Sequence, residues 1–144
     1  MSGITERRDI GAMLNQALAV DTTSITATAV ATGEVIDRED HNMPLSMKAV
    51  ASLGLTIGTD ETVQVSYQLQ DSADGASFDD YGDPVEGTEY TDADTGTTVV
   101  EAADFNLSGC RRYVKIVATV TLSAGSGDEV QFLVVAILEK GDRY

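Results

Sequence analysis

Apolar and polar residues alternate along much of the chain, and a period of two predicts β-strands. Val63, Val65, Tyr67 and Leu69 alternate with Thr62, Gln64, Ser66 and Gln68, the pattern of a strand with one buried and one wet face. Met47, Ala49, Ala51, Leu53, Leu55 and Ile57 keep the same period, with Gly54 marking a bulge or a close backbone approach. Two more runs lie between Tyr113 and Leu138. The first sets Val114, Ile116, Ala118, Val120 and Leu122 against Tyr113, Lys115, Val117, Thr119 and Thr121. The second sets Val130, Phe132, Val134, Ala136 and Leu138 against Leu133, Val135 and Ile137. It is apolar on both faces through its middle, so it is expected to be covered on both sides. The Gly/Ser/Asp segment between these runs predicts a β-hairpin at the centre of the fold.

The remaining segments carry weaker signals. Ser24 to Val30 reads as a strand that Gly33 breaks, and Glu34 to Asp37 as a short strand or strand end. Arg38 to Pro44 reads as a loop, and Gly58-Thr59-Asp60 as a turn. From Asp71 to Thr97 the chain is acidic and glycine-containing, with short strands expected near Phe78 to Tyr81 and at Glu89 to Tyr90. Thr97 to Val100 forms another short strand, and Ala102 to Leu107 leads through Gly109 into the central pair. The one helix candidate is residues 1–20, where Ile10, Met13, Leu14, Ala17 and Leu18 fall at helical spacing behind Asp9. At about three turns it is marginal alone, and an extended arm that orders against a neighbour fits equally. The expected organisation is an N-terminal arm or helix (1–20) and a single domain (21–144). Strands at roughly ten-residue spacing without repeats place the domain among all-β folds, as a β-sandwich or jelly-roll-like body.

Composition narrows the partners. The 144 residues carry 24 acidic and 9 basic side chains, for a net charge of −15. Phosphate contacts need Lys and Arg, so nucleic acid is excluded as a direct partner, and so is an anionic membrane surface. Docking is expected on neutral or basic surfaces. No run approaches the roughly 18 apolar residues of a membrane span. The N-terminus lacks the continuous apolar core of a signal peptide, so the chain is expected to stay in the cytoplasm where it is made. The lone cysteine, Cys110, cannot form a disulfide within the chain.

Candidate chemistry is sparse. The single histidine, His41, sits between Asp40 and Asn42 in a polar segment, and no histidine cluster exists to hold zinc. Cys110 precedes Arg111 and Arg112, which would favour a thiolate, but it stands at a strand start where a small buried residue is ordinary. Asp71, Asp74, Asp79, Asp80 and Asp83 offer oxygen ligands at a density that suits calcium. Ala73 stands where an EF-hand loop needs Asp or Asn, and no Glu closes the loop, so a solvated acidic loop is the expectation. No metal or cofactor site and no catalytic constellation emerge, and the chain is not expected to be an enzyme. Arg111 and Arg112, beside Tyr113, are expected to pair with the Asp-rich loop or with acidic groups across an interface.

The segments TSITATAVATGEVID, SLGLTIG, VQVSYQLQDSADGASFDDYG and RRYVKIVATVTL, followed by FLVVAIL, occur in that order after the N-terminal arm. In this the chain resembles the small capsid cement, or decoration, proteins of tailed bacteriophages. The resemblance implies a β-sandwich body on the outer surface of a phage capsid, reinforcing contacts between major capsid subunits as a homo-oligomer, a dimer or trimer. It implies synthesis in the host cytoplasm and residence in the virion, and it carries over no functional residue. Unpaired apolar or basic character marks Ile4, Arg7, Arg8, Ile10, Met13 and Leu14 of the arm, and the Arg111–Arg112 corner, as partner contacts. The alternative is a tail or fibre module that recognises a glycan or host surface. The chain has no Trp for stacking, and of its tyrosines only Tyr81 and Tyr90 lie in a loop expected to be exposed.

Overall fold

The computed structural model describes residues 14–123 and 127–139. Its strands are β1 (Leu14–Ile25), β2 (Ala29–Thr32), β3 (Ile36–Asp37), β4 (Ser46–Thr56), β5 (Thr62–Ser72), β6 (Asp79–Asp80), β7 (Val85–Glu86), β8 (Tyr90–Thr91), β9 (Thr98–Asn106), β10 (Tyr113–Leu122) and β11 (Glu129–Glu139). Single 3-10 turns lie at Arg38–His41 and Asp92–Asp94. The strands form two antiparallel sheets packed as a sandwich. The first has the order β1-β11-β4-β9; the second runs β2-β10-β5-β6, with β3 on β10 and β7 and β8 on β5.

The alternating residues explain the core. Val63, Val65, Tyr67 and Leu69 of β5 and Val114, Ile116, Ala118 and Val120 of β10 are buried from one side. They face Met47, Ala49, Ala51, Leu53 and Leu55 of β4 and Val130, Phe132, Val134, Ala136 and Leu138 of β11. Each large side chain buried this way contributes about 1.5–3 kcal/mol. The all-β sandwich is the architecture that the alternation predicts.

The central pair is not a hairpin. β10 lies in the second sheet and pairs with β5 from Tyr113↔Ser72 to Leu122↔Val63. β11 lies in the first sheet, between β1 and β4. The connection between them is an arch from one sheet to the other. Alternation decides which face of a strand is buried and leaves its neighbour open. Here each strand finds a long register with another partner.

The helix expected within residues 1–20 is corrected over its described part. Leu14, Ala17 and Leu18 belong to β1, which runs across the expected 20/21 division and pairs with β11 from Leu14↔Glu139 to Ile25↔Val130. The register slips between Leu18 and Val20 and again between Val20 and Thr23. Such irregularities bury Ala19 and Val20 in succession. They break the period of two after Leu18, while Leu14 to Leu18 pair in continuous register, so the helix-like spacing there is overridden by pairing with β11. Ile4, Arg7, Arg8, Ile10 and Met13 lie outside the described residues.

Smaller differences have local causes. The strand expected from Ser24 to Val30 is a corner: β1 ends at Ile25, and Thr28 Oγ1 accepts the Leu122 N–H at 3.0 Å before β2 begins. Gly54 sits in unbroken register between Gln131 and Thr98, so it marks no bulge. Thr97 to Val100 and Ala102 to Leu107 merge into the single strand β9. β6 and β8 fall near the expected positions, while β7 has no alternation to announce it.

Candidate interaction surface

The second face of β11 is the starting point, because its expected cover is missing from the described fold. Leu133, Val135 and Ile137 are only half-buried, whereas the residues between them are in the core. Registers assemble their neighbours. Val135 pairs with Leu18 on one side and Val50 on the other. Leu133 pairs with Ser52, which pairs in turn with Val100. Ala102 lies beside Val50. The outer face of the first sheet therefore presents Leu18, Val50, Val100, Ala102, Leu133, Val135 and Ile137 as one apolar area across four strands. Leu18 is 40% and Val100 67% exposed, large values for such side chains.

Charge is confined to the margin of this area. Lys48 meets Asp104 at 3.5 Å, both well exposed, and Ser46 Oγ donates to Glu139 at 3.0 Å. Toward the other end the face dips where Gly54 lacks a side chain. A shallow depression of about 230 Å³ there is lined by Ser52, Gly54, Thr98, Gln131, Phe132 and Leu133.

The outer face of the second sheet contrasts with it. Gln64, Ser66, Gln68 and Gln70 of β5 point outward and are tied down by the Asp71–Thr97 segment. Gln64 donates to the Gly87 carbonyl at 2.8 Å, and Gln70 to Asp80 at 2.8 Å. Lys115 of β10 sits over the Phe78 ring at 4.2 Å. One face of the sandwich is thus apolar, and the other is polar and internally bonded.

The Arg111–Arg112 corner forms a structural knot. Arg111 Nη2 meets Asp71 Oδ1 at 2.8 Å and Asp79 Oδ2 at 2.9 Å, and its backbone N–H donates to Asp71 Oδ2 at 2.9 Å. The Arg111 guanidinium holds the Asp71 carboxyl below the usual carboxylate range. Arg112 meets Asp37 at 2.8 Å and Glu39 at 2.9 Å, lies over the Tyr113 ring, and lowers Asp37 in the same way. These pairs join β3, β5, β6 and the start of β10. Of the two arrangements expected for Arg111, the structure contains the internal pairing with the Asp-rich segment. Both guanidiniums keep part of their surface open to solvent.

The other sequence candidates take ordinary structural roles. The acidic loop closes on itself around Asp74, whose side chain accepts the N–H groups of Ser77 and Ala76 and the Ser72 hydroxyl, and is held at about 2. Among the described residues no group of three or more His, Cys, Asp or Glu is placed to hold a metal ion. Burial pushes the Cys110 thiol up to about 11, so it stays protonated at neutral pH. Tyr90 is buried, its hydroxyl donating to Glu101 at 3.1 Å, and offers no stacking surface.

No protein-family model matches the sequence, and no curated protein matches it. Solved structures do. The chain is similar to PBSX exported protein XepA at 13% identity and a TM-score of 0.56, over 90% of this chain and 38% of that one. It is similar to a structure of the Gt strain of infectious bursal disease virus at 12% identity and a TM-score of 0.53, over 91% of this chain and 32% of that one. The Gx strain structure gives 11% identity and a TM-score of 0.50, over 91% and 34%. The chain spans about a third of the length of these proteins. At such identities the likeness is one of fold alone.

Proposed function

We propose that this chain is a structural protein of a phage virion, a cement protein that binds the outer surface of the capsid and stabilises contacts between major capsid subunits. The observation that carries the reading is the apolar outer face of the first sheet. A chain with a net charge of −15 has charge enough to cover its surface, yet among the described residues the middle of this face, from Leu18 through Val135 and Val50 to Ala102, carries none, and Lys48, Asp104 and Glu139 stand at its end. Exposed apolar areas of this kind mark docking sites. A partner that covers the face gains about 25 cal/mol for each Å² of apolar surface removed from water. The acidic surround favours a partner that is neutral or basic where the two meet. The fold shared with virus structures supports the class of protein. The same reading has the chain made in the host cytoplasm and built into the shell as a dimer or trimer.

Co-sedimentation with capsids tests it. Val100→Glu places a charge within the apolar face, on its edge strand β9 and at an already exposed position, so the fold should survive, as checked by an unchanged Tm. The expected result is loss of capsid binding by at least tenfold, the effect of burying one unpaired charge in a docked apolar face at about 1.4 kcal/mol or more. Unchanged binding by a folded Val100→Glu variant overturns the assignment of the face. Removing residues 1–12 tests the arm contacts at Ile4, Arg7, Arg8 and Ile10 without cutting into β1.

A further inference from the structure

Two carboxyl groups at one end of the sandwich each keep one buried oxygen without a hydrogen-bond partner. Asp128, just before β11, is 2% exposed. Its Oδ1 accepts the Gly58 N–H at 2.7 Å, but its Oδ2 is buried without a hydrogen-bond partner. Glu61 Oε2 is buried without a partner as well. The two side chains lie within hydrogen-bonding reach of each other. Gly58 makes the approach possible, since a Cβ there would stand 2.5 Å from Glu61 Oε2.

Among the described residues, the segments around the pair bring no positive charge. Asp60 is on the same turn, and its N–H donates to Asp92 Oδ2 at 3.2 Å. Asp94 shares the 3-10 turn with Asp92, and Glu129 follows Asp128. Tyr90 of β8 directs its hydroxyl to Glu101 instead. Segments 57–63, 90–98 and 121–131 contain no Lys, Arg or His. Two ionised carboxylates in contact here would repel each other, with only the Gly58 N–H to offset them among the described groups.

We propose that Glu61 and Asp128 hold one proton between them and that this proton latches together the two arches that cross between the sheets. Glu61 ends the β4–β5 arch, and Asp128 ends the β10–β11 arch. One O–H···O⁻ bond satisfies both orphaned oxygens and is stronger than a neutral hydrogen bond. The neighbouring Asp128 pushes the Glu61 carboxyl upward. A carboxyl raised in the folded state binds more protons folded than unfolded. Its stabilisation is present at acid pH and is lost as pH rises above the ordinary carboxylate range. The latch is therefore closed at acid pH and weakens as pH rises above the ordinary carboxylate range.

The test is thermal melting against pH for the wild type, Glu61→Gln, and Asp83→Asn as a charge-matched control at an exposed site. A glutamine amide donates to Asp128 at every pH. The expected result is a wild-type Tm that falls by about 3 °C or more from mildly acidic to mildly alkaline pH. The slope should be kept in Asp83→Asn and absent in Glu61→Gln. Parallel profiles for all three overturn the proposal. A calcium-induced rise in Tm at neutral pH, present in the wild type and absent in Glu61→Gln, also overturns it, because a cation then fills the role of the proton. Should Glu61→Gln fail to fold, carbon-13 shifts of the wild-type carboxyl groups decide. Two coupled steps with one raised support the shared proton, and two ordinary carboxyl titrations refute it.

Discussion

Arg38 is the residue where sequence and structure diverge most. It opens a polar segment and reads as a surface charge, yet it is 3% exposed. Its guanidinium donates to the carbonyls of Cys110, Arg111 and Pro44, the last at 2.8 Å. Two of these acceptors lie more than 70 residues away along the chain. No local pattern announces such a role, because burial of a charge is tolerated only when distant backbone happens to supply its partners. The planar fork reaches several carbonyls at once, which a lysine ammonium on a flexible stem does not. Arg38→Met is expected to destabilise the fold by about 2–4 kcal/mol, through carbonyls left without a donor. Arg38→Lys should recover less than half of that. Urea denaturation measures both, and a loss below about 0.5 kcal/mol for Arg38→Met would show that the carbonyls find other donors. Arg111 shows the opposite case, since its pairing with the Asp-rich segment is legible from charge alone.

Two glycines separate what an element needs from what it tolerates. A Cβ on Gly33 would stand 2.3 Å from the carbonyl oxygens of both Ala19 and Ile116. Both are backbone atoms, fixed by the strands they belong to, and the Gly33 N–H already donates to Ile116 at 2.8 Å. Gly33→Ala is expected to cost about 2–3 kcal/mol by driving β2 away from β1 and β10. At Gly54 the nearest atom to a Cβ is Gln131 O at 3.7 Å, an ordinary contact. Gly54→Ala is expected to be neutral or stabilising by up to about 1 kcal/mol. Chemical denaturation of the two variants side by side checks the contrast, and equal costs would defeat it. The sequence marks both glycines as strand interruptions without ranking them, because the difference lies in an adjacent strand. Strand positions and buried faces follow from alternation in β4, β5, β10 and β11. Pairing does not, so an arch reads as a hairpin. In the second half of β1 the register slips after Leu18 erase the alternation itself.

The whole molecule has two unlike faces, and the sign of that asymmetry is written in β11. Apolar residues on both sides of a strand predict two covers, and the described fold supplies one. The sequence therefore contains the signal for the candidate surface, but only the strand order shows that Leu18, Val50 and Val100 extend it. If the first sheet docks on a capsid, the polar second sheet must face outward. Single cysteines report this orientation, because the native Cys110 thiol, pushed up to about 11, contributes little at neutral pH. Val100→Cys marks the apolar face, and Thr121→Cys the exposed outer face of β10. In the free protein both should react with a maleimide at similar rates. On capsids, Val100→Cys is expected to slow by roughly an order of magnitude or more, as water and reagent are excluded from a docked interface, while Thr121→Cys keeps its rate. Protection of Thr121→Cys with Val100→Cys left reactive would place the other sheet against the shell. The apolar face would then have to be covered by a further copy of the chain.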